Sequence, residues 1–100
     1  MEKWLLKDIL HSGRKGERLT PVNDPKYYDI IGWNVWLDIK DIKAFEELRF
    51  YFKGHPMYDW WTTTAAIEAR IEDDKTLYFE SVNTIYVFER VEEEKKDDAE

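Results

Sequence analysis

The clearest alternation of apolar and polar positions runs over Thr76–Arg90, TLYFESVNTIYVFER. Thr, Tyr, Phe, Ile and Val dominate it, the residue types that fit a pleated surface. Asn83 tolerates the left-handed backbone that tight hairpin turns require, so Thr76–Ser81 and Thr84–Arg90 are expected to form a hairpin about Val82 and Asn83. With a loop of two or four residues, Leu77, Phe79, Tyr86 and Phe88 share one face, and Tyr78, Glu80, Ile85 and Val87 share the other. The first is the better core face. The second keeps apolar surface suited to a barrel corner, a loop cover or a subunit contact.

The preceding segment is phased by the same logic. Thr63–Ile71 places Ile67, Ala69 and Ile71 on one side and Glu68, Arg70 and Glu72 on the other. An odd-numbered loop sets Ile71 opposite Leu77 and Ala69 opposite Phe79. Asp73-Asp74-Lys75 supplies three residues, which predicts a three-stranded antiparallel meander.

Upstream the pattern is less regular. Trp4–His11 reads either as a helical stripe of Trp4, Leu5 and Ile9 or as a strand in which Trp4 and Leu6 alternate; a first strand over Lys3–Leu10 is expected. Ser12–Pro25 is a polar loop with Ser12-Gly13 and Lys15-Gly16 turn chemistry, and Pro21 and Pro25 argue against a helix in it. Tyr28–Ile39 reads as a long strand with Trp33, Val35, Leu37 and Ile39 to one side and Asn34, Trp36 and Asp38 to the other; Gly32 permits a bulge. Residues 41–48 contain Ile42, Phe45 and Leu48, spaced for one short helical turn or an ordered loop. Arg49–Lys53 is a strand with Phe50 and Phe52 inward and Arg49, Tyr51 and Lys53 outward, ended by Gly54-His55-Pro56. Short strands, short links and no helical crossover predict an all-β fold, a small antiparallel SH3-like barrel of five to six strands.

With 100 residues the chain is long enough for one core, expected over 1–90, and aromatic residues at 16% supply large rings to fill it. Net charge is −7, but residues 89–100 carry −4 of it, so 91–100 is expected to be an acidic, disordered tail. The rest of the chain is near charge balance, which disfavours nucleic acid as a partner. Without cysteine there is no disulfide framework, zinc ribbon or thiol nucleophile. No apolar run approaches a membrane span and the N-terminus has no signal-peptide pattern, so no membrane contact and a cytoplasmic location are expected.

The order of several short patterns resembles that of small uncharacterised β-barrel proteins of Gram-positive bacteria and their phages or prophages. They are W-x-L-x-D-I over Trp4–Ile9, S-G-R-K-G-x-x-L over Ser12–Leu19, Ile31-Gly32, T-T-x-A near Thr63, and L-x-F-E-S-x-N-T-x-Y-x-F over Leu77–Phe88. The resemblance spans most of residues 4–90 and rests on turn and strand patterns. It implies a small barrel and a mobile-element origin, and it carries no catalytic residues. By analogy of setting alone, some phage proteins of this size act in counter-defence.

Candidate chemistry is sparse. His11 and His55 lack metal-ligand spacing, Asp8, His11 and Ser12 have triad residue types without a triad's context, and neither a metal, a cofactor nor an enzyme activity is expected. In Ser12–Leu19, two glycines free the backbone beside Arg14, Lys15 and Arg18, a candidate grip for an anionic small molecule such as a nucleotide; the alternative is a solvated hairpin loop. Trp36, Tyr51, Tyr58, Trp60 and Tyr78 do not all fit one core side, and outward aromatics mark interfaces. Tyr58–Trp61 reads equally as a packed corner. The expected partner is a protein, or a second copy of the chain.

Overall fold

A computed structural model describes residues 1–11, 25–82 and 84–91. Among these the chain is mostly β. Seven strands form one antiparallel sheet: β1 (Glu2–His11), β2 (Asn34–Leu37), β3 (Arg49–Tyr51), β4 (Trp60–Thr62), β5 (Ala66–Glu72), β6 (Thr76–Ser81) and β7 (Thr84–Arg90). Their order is β4-β3-β2-β1-β7-β6-β5, so β1 is central. The count exceeds the expected five to six because Trp60–Thr62 pairs as a strand of its own.

The meander follows its hydrophobic alternation. Leu77 lies opposite Phe88, Phe79 opposite Tyr86, Ile71 opposite Leu77 and Ala69 opposite Phe79. The loop between β5 and β6 has the expected three residues. Asp73 (φ 53°) and Asp74 (φ 57°) are both left-handed, and the Lys75 N–H donates to the Glu72 carbonyl at 2.9 Å. Two such residues match the twist of the flanking strands, and Lys75 is the extra residue that keeps the parity. At the other end, Ser81 Oγ donates to the Thr84 carbonyl (3.0 Å) and accepts from its N–H (3.2 Å), closing β6 onto β7. Asn83 lies outside the described residues.

Two bulges alter the simple alternation. In β1 the pairing with β7 shifts between Leu6 and Asp8, so Lys7 is the extra residue. Trp4, Leu6 and Ile9 then all point into the core, which is why neither a helical nor a strict two-residue period fits this stretch. In β5 the shift falls between Ala66 and Glu68. Ala66 is buried, and Ile67, expected in the core, is 52% exposed.

Tyr28–Ile39 is not one long strand. Pro25–Tyr28 forms a four-residue helix, α1. Proline suits a first helical position because its missing N–H has no intrahelical partner to lose. Ile30 and Ile31 N–H groups then both reach the Tyr27 carbonyl (3.2 and 3.3 Å), and Gly32 turns the chain at φ 92°. The Gly32 N–H bonds the Leu6 carbonyl at 2.8 Å, and the Leu6 N–H bonds Trp33 at 2.9 Å, tying the turn to β1. Only Asn34–Leu37 is left as strand. The helical turn expected over 41–48 sits earlier, as a 3-10 turn at Ile39–Asp41, and the strand expected over Arg49–Lys53 is Arg49–Tyr51.

The sheet curls strongly. Seven strands laid flat would span about 29 Å between edges, whereas the chain passes from edge β4 to edge β5 through Thr63–Ala65, a reach of about 14 Å. Rings from distant strands meet inside: Phe50 on β3 lies 5.3 Å from Phe88 on β7, edge to face. No ladder joins β4 to β5 among the described residues, so the sheet is curled and open rather than a closed barrel. Buried Thr63 holds the corner. Its Oγ1 accepts from the Leu48 N–H (3.0 Å) and its own N–H donates to the Leu48 carbonyl (2.9 Å). Trp4, Leu6, Val35, Leu37, Phe50, Phe79 and Phe88 fill the core.

Candidate functional site

Strand register brings three of the expected aromatics together on the convex face. Lys3 lies opposite Trp36, Trp36 opposite Tyr51, and Tyr51 opposite Trp60, giving one row across β1 to β4. Directly opposite residues on one face have Cβ atoms about 5 Å apart, so the three aromatic side chains line up in one strip across the strands. They point outward because Val35, Leu37 and Phe50, their strand neighbours of opposite parity, fill the core.

The strip is interleaved with cations. Lys53 Nζ stands 4.4 Å and Lys3 Nζ 5.7 Å from the Trp36 ring centroid, and the Arg49 guanidinium lies 4.2 Å over Trp60. Arg49 Nε also reaches Thr62 Oγ1 at 3.4 Å. None of these three cations forms an ion pair with a described residue. Trp60, on edge strand β4, is 48% exposed and borders an open cleft of about 430 Å³ lined also by Met57, Tyr58, Asp59, Trp61 and Thr62. The other half of the convex face, on β5 to β7, carries Glu68, Glu72, Glu80 and Glu89 with Arg70. The charge of the face therefore divides: basic and aromatic over β2 to β4, acidic over β5 to β7.

The other two expected aromatics lie elsewhere. Tyr58 is half-buried in a cluster with Phe52, His55 and Trp61, and so belongs to a packed corner more than to the strip. Tyr78 is on the convex face but within the acidic half, with the Arg70 guanidinium 4.6 Å over its ring. Arg14, Lys15 and Arg18 lie outside the described residues, as does the tail at 92–100.

His55 organises the corner beneath the strip. Its Nδ1 accepts from the N–H groups of Met57 (3.0 Å) and Tyr58 (3.2 Å), so the ring proton sits on Nε2, which donates to the Asp29 carbonyl at 2.7 Å. The ring packs 4.4 Å from Trp33 and 5.0 Å from Phe52. This role depends on a contact between residues 26 apart, and the only sequence signal for it is a histidine in a turn-forming Gly-His-Pro. Nearby, the buried Tyr86 hydroxyl accepts from Trp61 Nε1 at 3.1 Å. Burial pushes that hydroxyl above the usual tyrosine range, while its hydrogen bonds to Trp61 and Thr84 act in the opposite direction.

Among the described residues there is no group of three or more His, Asp or Glu able to hold a metal ion, and no helix long and apolar enough to cross a membrane. Searches against protein-family models, curated proteins and solved structures match nothing.

Proposed function

We propose that this chain is a non-enzymatic binding module whose Trp36–Tyr51–Trp60 strip docks an extended, acidic segment of a protein partner. One observation carries the reading: three aromatic rings in adjacent register, flanked by Lys3, Arg49 and Lys53, on a protein of net charge −7. Aromatic rings supply buried area at small entropic loss, and Arg and Lys beside them pair with carboxylates. The edge position of Trp60 lets an extended segment run on from the strip into the adjoining cleft. We read the curled sheet as an SH3-like barrel left open between β4 and β5. The setting we propose is the cytoplasm of a Gram-positive bacterium or its phage, on the strength of the patterns at Trp4–Ile9, Ser12–Leu19 and Leu77–Phe88.

The test is an array of extended peptides, acidic, neutral and basic, titrated against the full chain by tryptophan fluorescence. Acidic members are expected to bind best, and Trp36→Ala and Trp60→Ala each to weaken binding at least about tenfold, as central aromatic anchors do, with an unchanged circular dichroism spectrum. Binding by both variants as tight as that of the wild type would sink the reading. A single-stranded oligonucleotide binding more tightly than any peptide would replace the protein partner by nucleic acid.

A further inference from the structure

The basic strip leaves β5 unexplained. This seven-residue strand, Ala66–Glu72, is the last in the sheet and has no strand on its outer side among the described residues. Among the described residues only Ala66 is engaged there, its carbonyl accepting from the Phe45 N–H (2.9 Å) and its N–H donating to the Glu46 carbonyl (3.0 Å). An open edge of this length is a template for another strand.

The side chains say which strand. Glu68 lies directly opposite Glu80 on β6, a like-charge pair that a sheet tolerates poorly. Ile67 and Ile71 are 52% and 38% exposed. Beside the edge is an apolar cleft of about 310 Å³ lined by Ile39, Ile42, Ala69, Arg70, Ile71 and Leu77. The order Ile67-Glu68-Ala69-Arg70-Ile71 is symmetric in its apolar positions about Ala69 and antisymmetric in its charges.

We propose that a second copy of this chain pairs antiparallel along β5, with Ala69 on the two-fold axis. In that register Glu68 faces Arg70 of the other copy twice over. Arg70, which reaches Glu72 Oε2 of its own chain at 3.2 Å, then also brings a cation beside the Glu68–Glu80 pair, which has none among the described residues. Ile67 faces Ile71 and enters the cleft beside it. The contact is isologous, each copy giving and receiving the same groups, so it closes as a dimer rather than growing into a filament. Edge pairing gives the affinity through main-chain hydrogen bonds, and the charges set the register. The convex aromatic strip is on the opposite half of the sheet and stays open in the dimer.

The full chain, run by size exclusion with light scattering from low to high micromolar concentration, is expected to dimerise. Glu68→Arg places like charges opposite each other at both pairs, and Arg70→Glu does the same with carboxylates. Each variant alone is expected to weaken dimerisation by about tenfold or more. An equimolar mixture of the two is expected to dimerise, because every cross-strand pair is again opposite in sign. Glu68 is exposed and Glu68→Arg also removes the repulsion with Glu80, so in that variant a loss of thermal stability is not expected to accompany the loss of dimer, whereas Arg70→Glu also gives up the exposed contacts of Arg70 with Glu72 and Tyr78. A wild-type chain that is monomeric throughout overturns the proposal, as does a dimer indifferent to both substitutions or a mixture that stays monomeric. A dimer lost on Trp36→Ala but not on Glu68→Arg would assign self-association to the convex strip and overturn it too.

Discussion

A histidine hydrogen-bonded at both nitrogens to backbone is a structural strut whatever else surrounds it. His55 replaces water for three main-chain groups, those of Asp29, Met57 and Tyr58, and so fixes the loop that leads into β4 against the turn after α1. Truncating it strips partners from those groups and opens a gap beside Trp33 and Phe52. His55→Ala is therefore expected to lower stability by about 1–3 kcal/mol, measured by urea unfolding, and to loosen the approach to Trp60. A change within a few tenths of a kcal/mol would show that water satisfies those groups equally well. Lysine and arginine over tryptophan make a different kind of contact. The pairs on Trp36 and Trp60 lie at the surface, where such contacts are worth about 0.5–1 kcal/mol, so their value lies more in presenting charge beside rings than in holding the fold.

The elements divide by how local their causes are. The β5-β6-β7 meander was legible because its hairpins join neighbours in sequence, and because a two-residue period with one odd loop admits a single register. Tyr28–Ile39 departs from the long strand its alternation predicts, because strand geometry holds only over Asn34–Leu37. The preceding turn is set by hydrogen bonds from Gly32 and Leu6, contacts between residues 26 and 27 apart. The outward orientation of Trp36, Tyr51 and Trp60 could be read from parity, but their adjacency could not, since it depends on β4 taking the edge beside β3. Tyr58 lies apart from the strip for the reciprocal reason: the His55 loop folds it back onto Phe52, as the packed-corner alternative has it. The connection before β3 holds a clear local conflict. Phe45 has φ 65° and is 81% exposed, a backbone region that costs a residue with a Cβ about 1–2 kcal/mol. Little burial compensates. Phe45→Gly is expected to raise stability by about 1 kcal/mol, read as a higher midpoint of thermal unfolding at dilute concentration. A drop instead would mean that the exposed ring packs in the folded chain more than its accessibility indicates.

At the scale of the whole molecule, the curl is maintained by contacts that skip strands. The Trp61–Tyr86 hydrogen bond joins β4 to β7 across the interior, while in a flat sheet those strands would be about 19 Å apart. The same bond ties stability to pH. Tyr86 is buried, and its hydroxyl ionises above the usual range in the folded protein, chiefly because burial penalises the phenolate. In the unfolded chain the phenol ionises near pH 10. Where the folded value is the higher of the two, the group's contribution to stability is complete below the unfolded value and is lost as pH rises through the folded one. The Tyr86 contribution to wild-type stability should therefore hold up to about pH 10 and be lost beyond. Tyr86→Phe should begin about 1 kcal/mol lower at neutral pH, because the Trp61 N–H loses its acceptor, yet fall less on the alkaline side. Urea midpoints for both proteins at about pH 8 and about pH 11 test this, and only the difference between them is needed, since the two proteins share every other side chain. Parallel declines would mean that the hydroxyl meets enough solvent to ionise within the fold. The curl would then rest on the apolar contacts of Phe50 with Tyr86 and Phe88 rather than on the hydrogen bond that spans it.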